Sequence, residues 1–177
     1  MNEQNSVRII EVVSYSSKWK DEYIKESEKL KNIFKDEMVE IHHIGSTSIP
    51  GIYAKPTIDI IIGVKDIDEI DNYNKDMAKL GYEAKGENGI KDRRFFIRGR
   101  CERTHHVHVF QIDNPEIKRH LNFRDYMIAH PEEAKEYGDL KKRLAKKFKY
   151  NSQAYCDGKD LFIKYIDKKA TEWSDTK

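Results

Sequence analysis

Between Thr57 and Val64 the chain reads Thr-Ile-Asp-Ile-Ile-Ile-Gly-Val, its longest apolar run. That length suits a strand and falls far short of the ~20 apolar residues a membrane-spanning helix needs. Successive side chains on a strand face opposite ways, so Ile58, Ile60, Ile62 and Val64 share one face while Asp59 falls on the other. A carboxylate set among isoleucines is costly unless it stays ionised beside a cation or hydrogen-bond donors. Two readings stand: a functional acid, or a capped loop or a salt bridge to an arginine such as Arg94.

The same alternation in His106-Val107-His108-Val109-Phe110 puts both imidazoles on one face. Two histidines so spaced can reach one ion at about 2.0 to 2.1 Å, with Asp59 as a third ligand and open positions left for water or substrate. The competing reading is a pair of polar groups turned to solvent or to neighbouring residues. His42, His43 and His105 read as structural.

Around these strands, Ile9, Val12 and Val13 predict a first strand, and Trp19, Tyr23, Leu30 and Phe34 an amphipathic helix ending near Phe34. A strand over Met38 to Ile44 runs into the small-residue loop Gly45 to Gly51. Ile67, Ile70, Tyr73, Met77 and Leu80 predict a helix closed by Gly81. Strands follow at Tyr82 to Lys85, Arg94 to Arg98 and His106 to Ile112. Asn114-Pro115 opens a helix that His130-Pro131 breaks. A further helix carries Ala134, Tyr137, Leu140, Leu144 and Phe148, and the last carries Phe162, Tyr165, Ile166, Ala170 and Trp173. The expected fold class is α+β, a mixed sheet backed by helices with a helical C-terminal part.

The 177 residues suit one domain, 1–177, with no repeat or linker to divide it. Charged residues make up 36% and apolar residues 38%, which gives a densely charged surface over a real core. Because the formal net charge is only +2 with signs interspersed, generic DNA binding is not expected, and any anion site must be local. Cys101 and Cys156 lack the spacing of a redox or thiolate-metal motif, which points to a reducing cytoplasm. Met1 to Val13 lacks the pattern of an export signal, so neither export nor a membrane span is expected.

Gly45-Ser46-Thr47 follows a strand and is built to bring backbone and hydroxyl donors close to a phosphate. Neither a P-loop nor a Gly-x-Gly-x-x-Gly motif occurs. Lys55 and the arginines Arg93, Arg94, Arg98, Arg100 and Arg103 add cations suited to phosphate or carboxylate, or else form a basic surface.

His43-Ile44-Gly45-Ser46-Thr47-Ser48-Ile49-Pro50-Gly51 and Ala54-Lys55-Pro56-Thr57-Ile58-Asp59-Ile60 resemble the GrpB family, also called UPF0157. The resemblance continues through Gly81-Tyr82, Arg93 to Phe96, His106 to Val109, Phe123 to Tyr126, His130 to Glu132, Tyr137 and Lys141. It implies a nucleotidyltransferase superfamily fold, in proteins that stand alone or are fused to dephospho-CoA kinase. In nucleotidyltransferases a strand ending in Gly-Ser precedes a strand bearing two acids at alternate positions, which hold divalent metal with help from a third acid. Gly45-Ser46 and Asp59 fit that layout, but Ile61 stands where the second acid belongs, and His106 and His108 where the third would be.

The resemblance therefore implies a nucleotide or phosphate ligand, with Gly45, Ser46, Thr47, Lys55 and Arg94 gripping phosphate. It makes Asp59 the catalytic acid and Asp59, His106 and His108 the ligands of a Mg, Mn or Zn ion. Nucleotidyl or phosphoryl transfer is the first expectation. The alternatives are a nucleotide- or CoA-type binding module without turnover, or a transition-metal phosphoesterase. Arg124 and Asp125 are expected to tie helices together.

Overall fold

The computed structural model describes residues 8–177. Its strands are β1 (Met38–Ile44), β2 (Ile58–Val64), β3 (Tyr82–Ala84), β4 (Arg93–Arg98) and β5 (His105–Gln111). They form one sheet in the order β1-β2-β5-β4-β3, in which β2 and β5 pair in parallel and every other neighbour is antiparallel. The helices are α1 (Lys18–Phe34), α2 (Asn74–Lys79), α3 (Pro115–Ala129), α4 (Pro131–Lys147) and α5 (Ser152–Asp175).

The isoleucine run decides how the layers form. Ile58, Ile60, Ile62 and Val64 pack with Val107, Val109 and Phe96 beneath Trp19, Leu30 and Phe34 of α1 and Met77 of α2. Each such side chain fully removed from water contributes on the order of 1.5–3 kcal/mol. On the opposite face Ile61 meets Ile44, Phe110 and Ile117. The C-terminal helices share their own cluster, including Ile49, Tyr126, Met127, Tyr137 and Ile166. The central strands are thus covered on both sides, so any polar side chain on the Ile61 face lies under α3 to α5 or in a gap between them.

Four expectations need correction. The strand expected at Ile9 to Val13 reduces to one bridge, Val13 with Ala54, because Ile10 donates its N–H to the Lys149 carbonyl at 2.9 Å and not to a sheet edge. The helix expected over Ile67 to Leu80 opens as a 3-10 turn, Ile67–Tyr73, and becomes α-helical only at Asn74. Asp68, Asp71 and Asn72 are poor α-formers, and Asp66 caps the turn by accepting from the Asp68 N–H at 3.0 Å. In α4 the buried stripe is Ala134, Tyr137, Lys141 and Ala145, one step around the helix from the half-buried Leu140 and Leu144. Tyr165 of α5, expected inside, is exposed.

Asn114 caps α3 by accepting from the Glu116 N–H at 2.9 Å, with Pro115 in the first turn. Arg124 pairs with its neighbour Asp125 at 2.8 Å and donates to the His43 carbonyl at 3.0 Å. It therefore ties α3 to β1, where a helix-to-helix tie was expected. No helix among the described residues is long and apolar enough to cross a membrane.

Candidate functional site

Register decides what meets on the Ile61 face. β2 and β5 place Asp59 beside His106 and Ile61 beside His108, and β4 sets Phe95 beside His108. The structure thus brings together the three side chains that the alternation put on common faces. Asp59 Oδ1 lies 3.1 Å from His106 Nδ1 and 3.8 Å from His108 Nε2.

Donor chemistry assigns the protons. A carboxylate only accepts, so His106 carries hydrogen on Nδ1, and in the neutral ring Nε2 keeps its lone pair. A guanidinium only donates, so Arg93 Nη1, 3.3 Å from His108 Nδ1, takes that lone pair, and the neutral ring's proton sits on Nε2 facing Asp59. Burial would raise the Asp59 pKa, but hydrogen bonding and electrostatic attraction from the imidazole N–H groups of His106 and His108 outweigh it and hold the carboxyl well below the usual range. Burial pushes His108 down despite Asp59.

This pattern bears on a metal ion. Coordination needs unprotonated nitrogens turned toward the ion, yet both nitrogens that face Asp59 carry protons, and the lone pair of His108 is already engaged by Arg93. Among the described residues no group of three or more His, Cys, Asp or Glu side chains is arranged to hold a metal ion. As they stand, Asp59, His106 and His108 do not fit one.

Beside this triad lies a pocket of about 330 Å³, lined by Gly45, Ser46, Thr47, Lys55 and Thr57 from the loops and by helical side chains. His120 comes from α3, Tyr137 and Lys141 from α4, and Tyr155, Lys159 and Ile163 from α5. Gly45 is obligatory here: its φ is +69°, and a Cβ would sit 2.6 Å from Asp59 Oδ2. The Thr47 hydroxyl donates to the Thr57 carbonyl at 3.3 Å and meets His43 Nε2 at 2.9 Å, so its bonding is spent within the protein. Arg94 points the other way. It shares the Val109 face and bonds Asp71 at 2.9 Å, so the phosphate role expected of it does not fit its place; Arg93 is the arginine beside the triad.

Lys55, expected at the site, lines the pocket together with two lysines missing from the expected set, Lys141 and Lys159. Lys141 is 2% exposed, with Nζ over the Tyr137 ring at 4.5 Å, while the Tyr155 ring has Lys55 at 5.1 Å and Lys159 at 4.6 Å. Burial, then repulsion from Lys159 and Lys55, pushes the Lys141 amine well down. Burial, then Arg8 and Lys159, brings Lys55 down to about 8. Lys141 Nζ, the Tyr155 hydroxyl and His106 Nε2 are all buried without a hydrogen-bond partner. His120 is satisfied, donating from Nδ1 to the Glu116 carbonyl at 2.8 Å.

Three histidines set the acid side of the stability curve. Burial lowers His43, His105 and His120 each to about 4, with Arg124, Arg98 and Arg119 respectively adding to the effect. Between the ordinary value of 6.5 and about 4 the unfolded chain takes up protons that the folded one refuses, so stability is lost as pH falls through that window. A loss on the order of 3 kcal/mol is expected between pH about 7 and about 4, after allowance for partial exposure. Urea midpoints that stay constant across that range would contradict this.

A five-stranded mixed sheet with a lysine-rich pocket between the Ile61 face and the C-terminal helices defines the class: an α+β protein with a cationic pocket. The family model described as GrpB protein matches residues 9–169, and the chain belongs to this family. It is 47% identical over 166 residues to the UPF0157 protein YqkA of Bacillus subtilis, covering 94% of this chain but 48% of that protein, so it spans about half that relative's length. It is 33% identical to the glutamate-rich protein GrpB of Alkalihalophilus pseudofirmus, covering 88% of this chain and 92% of that one. The crystal structure of the conserved protein GrpB from Enterococcus faecalis superposes with a TM-score of 0.90 at 41% identity, over 93% of this chain and 99% of that one.

Proposed function

We propose that the pocket binds a phosphate-bearing small molecule of the nucleotide class, and that the Asp59–His106 pair serves transfer of its phosphoryl or nucleotidyl group. One observation carries this reading: three buried polar atoms without partners, Lys141 Nζ, Tyr155 Oη and His106 Nε2, belong to side chains lining a single pocket. An unsatisfied buried polar atom costs on the order of 1–3 kcal/mol, and two donors and a lone pair left open together are what a phosphate ester with a nearby hydroxyl would satisfy. The pocket's volume sits at the lower end of the usual range for small-molecule sites.

In this reading Lys55, Lys141 and Lys159 hold the phosphate oxygens and offset charge as it grows in the transition state. An attacking hydroxyl gives its proton to His106 Nε2 as its oxygen bonds to phosphorus. The bond from phosphorus to the leaving oxygen breaks, and that oxygen departs with the electron pair. The leaving oxygen then takes the proton from the imidazolium, while Asp59 holds the ring by Nδ1 throughout. A second reading, binding without turnover, is supported by Ile61, whose side chain packs in an apolar cluster where a second acid would be needed.

Asp59→Asn separates the two. With its negative charge gone from beside the lysines, phosphate compounds should stabilise the variant at least as strongly as the parent in thermal shift. Turnover of labelled ATP should fall by about 10²-fold or more. Absence of stabilisation by any phosphate compound in the parent protein would end the proposal, and stabilisation without turnover would leave the binding module.

A further inference from the structure

The phosphate pocket does not stand alone. A second cavity of about 640 Å³ adjoins it and shares two of its walls, Lys55 and Thr57. Its other walls include Arg8, Arg103 and Thr104, with the carboxylates Glu11 and Glu102 also on its lining. The shared wall is firmly built: the Thr57 hydroxyl donates to the Arg103 carbonyl at 3.1 Å, and the Ile58 N–H donates to the Thr104 carbonyl at 2.9 Å. The loop before β5 is thereby fastened to the start of β2, and the two cavities meet across that seam.

Charge runs through both. Among the described residues, Arg8, Arg103, Lys55, Lys159 and Lys141 form no ion pair, although the protein pairs most of its other buried or half-buried cations with carboxylates. Arg8 is repelled by Arg103 and attracted by Asp59, and Lys55 is repelled by Arg8 and Lys159. Five cations against the carboxylates Glu11, Glu102 and Asp59 leave a net positive local potential that draws in an anion of matching extent.

We infer that the second cavity is an anion subsite continuous with the first, so that the ligand carries at least two phosphate or equivalent anionic groups, one at Lys141 and Lys159 and another toward Arg8 and Arg103, with Lys55 between them. This rests on the phosphate reading of the first pocket. It goes further by fixing the ligand's length and charge: a monophosphate fills only one end. The Thr104 hydroxyl adds a neutral polar group to the outer wall.

Calorimetric titration with orthophosphate, pyrophosphate and tripolyphosphate lengthens one chemistry in steps. In the full-length parent protein the affinity should climb by at least about tenfold from the first probe to the last. The double variant Arg8→Ala/Arg103→Ala should bind orthophosphate within about twofold of the parent yet lose most of the climb. Lys168→Ala, which removes an exposed cation on the lining of neither cavity, should keep it. A double variant that retains the full climb, a control that loses as much, or a parent showing no climb would each overturn the subsite. Lys141→Met tests the underlying reading separately: orthophosphate binding that survives this change sinks the first pocket and leaves the length question without its premise.

Discussion

Replacing Lys141 with Met raises the stability of the ligand-free protein and removes its response to phosphate. At neutral pH the amine either keeps its charge in a site with no carboxylate partner or gives up its proton, and both alternatives cost free energy. Methionine has similar length, keeps the contact with the Tyr137 ring and asks for no hydrogen bond. The expected gain is about 1–3 kcal/mol, which is several degrees in melting temperature for a chain of this size. The pH dependence checks the cause. The folded-state pKa of Lys141 lies below its unfolded value, so the parent gains stability as pH climbs toward the ordinary lysine value of 10.5, and the advantage of the variant should shrink over that interval. A variant less stable than the parent at pH 7 would mean that Lys141 has a structural partner.

Ile61→Asp, which places a second acid two residues after Asp59, should unfold the protein and not complete a metal site. Ile61 is fully buried, and its neighbours Ile44, Phe110 and Ile117 offer a carboxylate no donor. Its register partner His108 already divides its two nitrogens between Arg93 and Asp59. Lost packing and an uncompensated charge together are expected to cost about 4–5 kcal/mol or more, read as a collapse of the urea midpoint. If Ile61→Asp instead folds as well as the parent and becomes stabilised by Mg²⁺ or Mn²⁺, this face is a metal site that lacks one ligand. The acid's absence would then be a chemical adjustment and not a packing requirement.

Period-two alternation was enough to read the acid-and-histidine half of the site. Asp59, His106 and His108 sit on strands whose faces follow from parity alone, and only their meeting required knowledge that β2 pairs with β5. Parity could not choose between Arg93 and Arg94, since two adjacent arginines look alike until the register with β5 sets which one shares the His108 face. Of the lysines, Lys55 was legible in its loop, while the helical pair Lys141 and Lys159 was hidden for another reason. Lysine on a charged helix reads as solvated, and the apolar stripe of α4 can be drawn through Leu140 and Leu144 as readily as through Ala134, Tyr137 and Ala145. Only the packing of α4 against α3 and α5 turns Lys141 inward. His120 carried no signal at all, being one polar residue on a helix with a weak apolar stripe.

The lysines also reach the pocket from pieces of chain that must dock for it to exist: Lys55 from a loop, Lys141 from α4 and Lys159 from α5. Their mutual repulsion works against that docking, with only the rings of Tyr137 and Tyr155 laid between them as insulation. An anion arriving among them would therefore act as mortar. The last two helices would be held tightest when the pocket is filled, and amide protons along α5 would trade with solvent fastest when it is vacant.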